Sequence, residues 1–328
     1  MTPMHTPLDS MDPTLVKFLN KQQYHIVGEH SGVKLCHWMR QKLLYNRPCY
    51  KERFYGIASH RCLQMTPTIN QCTKSCLYCW RFQGFSETTL KRYDEPEFIL
   101  DECLKSQKKL VSGFKGDERC NQTFWEESRE PKHVAISLSG EPTLYPQLGE
   151  FIGLCKKRGL TTFLVTNGTN PKALENLDTL PTQLYVSVDA PNEKIYEKLC
   201  FPQIPKAWEL LKKTLTLLPS LETRTVIRHT LVDGWNIGNE KDYAKLDKLA
   251  DPMFIEPKAY VFVGYSRERM NLSNMPSHET VKKFGEKIGD ILGYKLVAEE
   301  KGSRVVLLAR DERAEKGRKI IEKQHNTK

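Results

Sequence analysis

The chain has 328 residues, 39% hydrophobic and 27% charged, with a formal net charge of +10. These values fit a globular chain with a full core and leave no apolar run near the roughly 18 residues of a membrane span. Ten cysteines are too few for a disulfide scaffold, and no secretory segment opens the chain, so reduced, metal-binding thiols are expected.

Residues 1–12 are rich in Pro and Thr and read as a frayed start. Residues 13–45 read as helical, with Leu15, Phe18 and Leu19 at i, i+3, i+4 spacing. A possible strand at 57–64 is followed by strand-like runs at 133–138, 161–166, 183–188, 223–230 and 259–263. Helical patterns lie at 97–110, 145–158, 171–177, 205–218, 239–249 and 278–292, each starting near Pro, Asp, Asn or Ser. Such alternation predicts a parallel sheet with right-handed crossovers. Six units suit a partial barrel, with N- and C-terminal extensions around it. The run 304–309 can extend the sheet edge, and residues 310–328 form a tail with seven basic and four acidic residues. The expected division is an extension at 1–53, the barrel at 54–300, and a last strand with the tail at 301–328.

Within this plan the string CTKSCLYCW places Cys72, Cys76 and Cys79 at C-x3-C-x2-C spacing. Three close thiolates can each bind one iron of a [4Fe–4S] cube and leave the fourth iron open, where S-adenosylmethionine (SAM) would chelate. A zinc site competes, with His60 or a distant cysteine as fourth ligand. Cys36, Cys49 and Cys62 form a second series, C-x12-C-x12-C. It reads either as a second three-thiolate cluster or as isolated buried cysteines. Lys51 stands two residues after Cys49, where an amine could form a Schiff base with a bound 2-oxo acid, or else grip a phosphate. Cys103, Cys120, Cys155 and Cys200 have no ligand spacing and read as packing or exposed thiols. His37 and His229 read as structural.

Three βα loops follow the cysteine motif, where barrel sites collect. Ser139-Gly140-Glu141-Pro142 offers close backbone approach and a carboxylate for a ligand ammonium. Thr166 and Asn167 offer groups suited to a ribose, and Ser187 and Asp189 face the same mouth. Trp38, Tyr78 and Trp80 are candidates for stacking or shielding. From residue 30 to residue 92 there are eleven Lys or Arg against Glu52 and Glu87. That basic segment points to a polyanion such as nucleic acid, or else to a solvated basic face.

Taken together, Cys36/Cys49/Cys62, CTKSCLYCWR (72–81), SLSGEPTLYP (137–146), LVTNGT (164–169), YVSVDAPNEKIYEKL (185–199), RHTLVDGWN (228–236) and KAYVFVGYSRERMNLSNMPSHE (258–279) resemble the radical SAM 4-demethylwyosine synthases of the wybutosine tRNA pathway. The resemblance covers most of the chain. It implies a partial (β/α)6 radical SAM barrel and two [4Fe–4S] clusters with SAM on the first. It also implies a lyase that condenses N1-methylguanosine, 3′ of the anticodon of tRNA-Phe, with pyruvate held at the second cluster. Lys51 takes the position of the Schiff-base lysine. The chain looks like the form without a flavodoxin domain, so a separate donor such as a flavodoxin or ferredoxin is expected. A cytoplasmic monomer is expected too. Two other readings remain at this point: a radical SAM enzyme acting on another RNA or protein, and a noncatalytic RNA-binding metalloprotein.

Overall fold

The computed structural model describes residues 11–320; residues 1–10 and 321–328, with most of the frayed start and part of the tail, lie outside it. Asp12 caps the first helix, α1 (Pro13–Lys21), by accepting from the Thr14 and Leu15 backbone N–H groups. The chain then turns through Gly28 into a hairpin, β1 (Tyr24–Val27) and β2 (Ser31–Lys34), before α2 (His37–Tyr45). The single helical segment expected over 13–45 is therefore two helices separated by a hairpin. Gln23 and Gly28, both at positive φ, break the helical path.

The remaining elements follow in order: α3 (Tyr50–Tyr55), β3 (Cys62–Thr66), α4 (Pro96–Ser112), α5 (Gln122–Ser128), β4 (His133–Ile136), α6 (Leu148–Lys157), β5 (Thr161–Thr166), α7 (Pro171–Glu175) and β6 (Gln183–Ser187). After these come α8 (Glu193–Cys200), α9 (Ala207–Leu217), β7 (Arg224–Leu231), α10 (Glu240–Ala250), β8 (Phe254–Ala259), α11 (His278–Leu292), β9 (Lys295–Glu300), β10 (Val305–Ala309) and α12 (Glu312–Lys316). The described residues form one ten-stranded sheet in the order β1-β2-β3-β4-β5-β6-β7-β8-β10-β9. Strands β3 to β8 are parallel, and the six units make the partial barrel that the alternation predicts. Antiparallel pairs extend both edges.

Two strand assignments move: β3 occupies residues 62–66 and not 57–64, since residues 59–61 form a 3-10 turn, and β8 shifts as well. β8 occupies residues 254–259 and not 259–263, because Pro257 is tolerated inside a strand paired on both sides. A proline removes a ladder donor and argues against a central strand, which pushed the sequence reading downstream. β10 adds to the sheet beside β8, as the 304–309 run allows, and β9 pairs beyond it.

The period of two in the strands divides the core. Along β7 and β8, Ile227 and Ile255 pack outward with the helices, whereas Val226 and Phe254 pack inward. The inward cluster joins Phe163 and Tyr185 to Tyr50, Phe54 and Tyr55 of α3 and to Val305 and Leu307 of β10. Helix α3 thus closes the bottom of the barrel. The segment after α12 fastens it there: the Ile320 N–H bonds the Tyr55 carbonyl (2.8 Å), and Arg318 donates to the Arg53 and Phe54 carbonyls.

Candidate active site

Above the aromatic floor lies a cavity of about 490 Å³. Both cysteine series line it, together with Lys51 and the loops after β4, β5 and β6. Residues that lie far apart in sequence therefore share one chamber.

Cys72, Cys76 and Cys79 sit in the loop after β3. Arg269 braces that loop by donating to the Leu77 and Cys79 carbonyls, and Gln83 donates to the Cys76 carbonyl (2.8 Å). Asn167 Nδ2 reaches Cys72 Sγ at 3.8 Å. Burial pushes the Cys72 thiol up to about 11, against the pull of Arg81. Cys79 is raised by burial, and Cys76 rises well above its usual value through contact with Cys200 and then burial. Burial alone keeps such thiols protonated; coordination to iron deprotonates them outright. Arg81 supplies the complementary charge. It is buried, and its Nη2 bonds the Lys74 carbonyl and Ser86, while its Nη1 has no partner among the described residues. A buried guanidinium beside three thiols, with one nitrogen unpartnered, fits an anionic thiolate cluster.

Cys36 and Cys49 are the N-cap residues of α2 and α3, and Cys62 opens β3. Burial raises Cys36, and pushes Cys49 and Cys62 to about 12, with Cys36 adding to both. The backbone N–H groups of Met39 and Trp38 and the Lys51 amine pull Cys36 the other way, as a helix N-terminus should. Glu52 knits the local scaffold: it accepts from the Ser59 N–H (3.1 Å), Ser59 Oγ (2.6 Å) and Lys42 Nζ (3.0 Å). Ser59 Oγ in turn accepts the Cys49 N–H (3.3 Å). Among the described residues no three His, Cys, Asp or Glu side chains gather as ligands of a single ion. A cube whose irons take one thiolate each asks for a wider triangle. His60 turns away to Glu127 and stacks on Phe124.

Lys51 enters the cavity with its Nζ 4.8 Å from the Phe163 ring and 4.6 Å from the Tyr185 ring. Burial lowers its pKa, and Arg228 adds to the effect. Lys258 also lines the cavity, lowered to about 8 by burial and then Arg228, and its Nζ donates to the Ser303 carbonyl (3.2 Å).

The loops carry more internal bonding than their sequences disclose. Gly140 has φ +71°, and a Cβ there would fall 1.7 Å from the Thr68 carbonyl oxygen. Glu141 Oε1 accepts from the Thr143 N–H, Thr143 Oγ1 and Thr166 Oγ1, and Oε2 accepts the Asn167 N–H (2.7 Å). Its carboxylate thereby ties the loops after β4 and β5 together, and only Oε2 keeps capacity for a ligand amine. Pro142 starts a 3-10 turn (Pro142–Leu144) and does not line the cavity, unlike Ser139, Gly140 and Glu141. Thr166, Asn167 and Ser187 line it. Asp189 is locked by Tyr78 OH (2.6 Å) and the Thr230 N–H (2.7 Å), so it positions the motif tyrosine. Trp38 and Trp80 line the cavity, and Trp80 stacks on Tyr24 with Lys34 over its ring. Cys103, Cys120, Cys155 and Cys200 are buried. His229 pairs with Asp247 in the core (3.0 Å), the structural role its strand pattern predicts.

Sequence reasoning missed Arg228, Glu256 and Tyr50, which form one network, and Lys258 beside it. Inward alternation of Arg224, Arg228 and Thr230 along the 223–230 run was the available signal.

Two family models match the chain: the radical SAM superfamily over residues 66–246 and wyosine base formation over residues 249–310. A S-adenosyl-L-methionine-dependent tRNA 4-demethylwyosine synthase of Pyrococcus abyssi (strain GE5 / Orsay) is 50% identical, over 92% of this chain and 90% of that protein. A solved structure of TYW1 with a lysine-pyruvate adduct bound superposes with TM-score 0.86 at 38% identity, covering 95% of this chain and all of that one. A crystal structure of archaeal TYW1 superposes with TM-score 0.76 at 37% identity, over 92% of this chain and 96% of that chain. Membership of the radical SAM superfamily brings SAM and a [4Fe–4S] cluster as cofactors. On the cavity, the barrel and these relatives, the chain belongs to the family of radical SAM tRNA 4-demethylwyosine synthases.

Proposed function

We propose that this enzyme condenses N1-methylguanosine, 3′ of the anticodon of tRNA-Phe, with pyruvate to form the tricyclic 4-demethylwyosine base, acting as a lyase. The observation that carries this reading is the shared chamber: two cysteine series and the amines of Lys51 and Lys258, both of lowered pKa, line a single cavity. Cys72, Cys76 and Cys79 hold one [4Fe–4S] cluster, and Cys36, Cys49 and Cys62 hold a second. When bound, the first cluster and SAM supply the electron and the carbon radical that takes hydrogen from the substrate methyl group. The chain's own residues do the rest. Ser139, Gly140, Glu141, Thr166, Asn167, Ser187 and Asp189 line the SAM pocket, with Pro142 setting the turn behind Glu141. Lys51 attacks the pyruvate keto carbon, whose oxygen leaves as water, giving a Schiff base. The relative that carries a lysine-pyruvate adduct supports this role. Of the lysines that line the cavity, Lys74 and Lys258 donate to carbonyl oxygens and Lys51 rests on two rings. Trp38 and Trp80 offer faces for the extruded base.

We read residues 1–53 as the extension that brings the first ligands of the second cluster, 54–300 as the barrel, and 301–328 as a closing segment. No helix of the described residues is long and apolar enough to cross a membrane. The proposal is completed by a cytoplasmic monomer with a separate flavodoxin or ferredoxin as donor.

Mass spectrometry of tRNA-Phe incubated with enzyme, SAM, pyruvate and reductant tests the reading. The tricyclic base is expected, from protein carrying about eight irons per chain. Lys51→Ala should still release 5′-deoxyadenosine from SAM and make no tricyclic base. Unmodified tRNA from a wild type that cleaves SAM would turn the reading toward another substrate. Four irons would remove the second cluster, and full activity of Lys51→Ala would remove the Schiff base.

A further inference from the structure

Arg228 projects from β7 into the cavity, with its guanidinium 4.6 Å from the Tyr185 ring. Lys51 Nζ lies at the same distance from that ring. One corner of the guanidinium is fixed. Nη2 donates to Tyr50 OH and to Glu256 Oε2, both at 2.7 Å. Glu256 is fully buried and also accepts from Tyr50 (3.3 Å) and Tyr55, so its capacity is taken up inside the floor. The remainder of the guanidinium is not engaged. Nε is buried without a hydrogen-bond partner among the described residues, and Nη1 makes no hydrogen bond there either.

Arg228, Lys51 and Lys258 all line the chamber, where Glu256 pairs with Arg228 and the thiols of Cys49 and Cys62 lie near Lys51. Tyr50 and Glu256 take both hydrogens of Nη2 and Nε is buried, which leaves Nη1 as the open donor beside the Lys51 amine. A guanidinium nitrogen with free hydrogens matches a carboxylate oxygen, which it binds through a charge-assisted hydrogen bond. In a 2-oxo acid the carboxylate is attached directly to the keto carbon, so an amine that attacks the carbon needs the anion-binding group close by.

We infer that Arg228 anchors the carboxylate of the 2-oxo acid whose keto carbon Lys51 attacks, so that this residue makes the site select an acid over an uncharged carbonyl compound. The inference rests on the Lys51 reading above. The step involves no redox change: the nitrogen–carbon bond forms, the keto oxygen leaves as water, and the carboxylate stays whole in its ion pair. Glu256 and Tyr50 act as positioning residues that hold Nη2 and so keep Nη1 turned toward the chamber.

The test is reductive trapping on the anaerobically reconstituted protein. Sodium cyanoborohydride converts the Schiff base to a stable secondary amine, read by intact mass and located by peptide mapping. Pyruvate is compared with methyl pyruvate, which keeps the keto carbon and lacks the negative charge. Wild type should trap pyruvate at Lys51 at a half-saturating concentration about ten- to a hundredfold below that of the ester, the range of a charge-assisted pair. Arg228→Gln should erase that preference by weakening pyruvate alone, and Arg228→Lys should restore part of it. Glu256 would be left buried and unpaired in Arg228→Gln. If that variant does not fold, Arg228→Gln combined with Glu256→Gln gives the same comparison. An undiminished preference for pyruvate in these variants overturns the inference. So does an unchanged preference with an altered spectrum of the second cluster, which would assign the charge to the cluster. Absence of any Lys51 adduct in wild type, or an adduct on Lys258, instead defeats the lysine assignment and is seen before a variant is made.

Discussion

At the start of β4, His133 accepts the Ala58 N–H on Nε2 (3.1 Å) and meets Thr161 Oγ1 through Nδ1 (2.6 Å). Only the neutral ring with its proton on Nδ1 satisfies both bonds. Burial lowers the pKa to about 4, helped by the positive charges of Arg61, His60 and Lys132. Because the folded value lies below the unfolded one, the stabilisation is complete above about pH 6.5 and is lost as pH falls toward 4. The amount at stake is about 3 kcal/mol. Urea unfolding at pH 7 and pH 4.5 should show this loss in wild type and a much smaller one in His133→Gln. A histidine read from sequence discloses neither its partners nor its tautomer. The grouping of Cys72, Cys76 and Cys79 was legible for the opposite reason: their spacing in CTKSCLYC is local, and all three line the same cavity. Arg228 and Glu256 are 28 positions apart and meet only through the register of β7 and β8.

The elements were read well where their pattern is strong. Helices such as α4 and α11 announce themselves by periodicity and capping, Ser277 accepting the Thr280 N–H at the start of α11. Four-residue strands such as β1 and β2 carry too few residues to show alternation, and they vanished into a helical reading of their neighbours. The loop after β4 was placed correctly, yet its chemistry was only half visible. Its sequence offers Glu141 as a ligand group, whereas most of the carboxylate's capacity goes to joining two loops. Gly140 makes the tight turn possible. Gly140→Ala should cost more than the about 1–2 kcal/mol that left-handed backbone alone imposes, because its methyl group would collide with the Thr68 carbonyl. Thermal denaturation should show a lowered Tm, and equilibrium dialysis a loss of SAM binding. A variant with wild-type Tm and SAM affinity would show that the loop relaxes without cost.

At the scale of the whole molecule, the basic segment divides into two populations. Of its eleven cations, Lys42, Lys51, Lys74 and Arg81 are buried and serve the chamber or its scaffold. Arg40, Arg47, Arg53, Lys91 and Arg92 are exposed. Net charge counted along the chain therefore overstated the field available to a phosphate backbone, since part of it is directed inward. Lys42 in particular is spent on Glu52. Reversal of Arg40 and Arg47 together should weaken tRNA binding and lower the slope of log affinity against log salt by about 2, one for each lost phosphate contact. An unchanged slope would place the footprint on another face.

Helix α3 is six residues long. It seals the barrel with Phe54 and Tyr55, presents Cys49 at its cap, and carries Lys51 one turn from the seal. Under the role proposed for Lys51, stopper and reagent are the same object. Loosening the plug displaces the amine and a thiol along with it, so the closed end of this barrel cannot be tuned for stability without retuning its chemistry. Arg318 and Ile320, remote from Lys51 in sequence, are in effect the clasp on the helix that carries it.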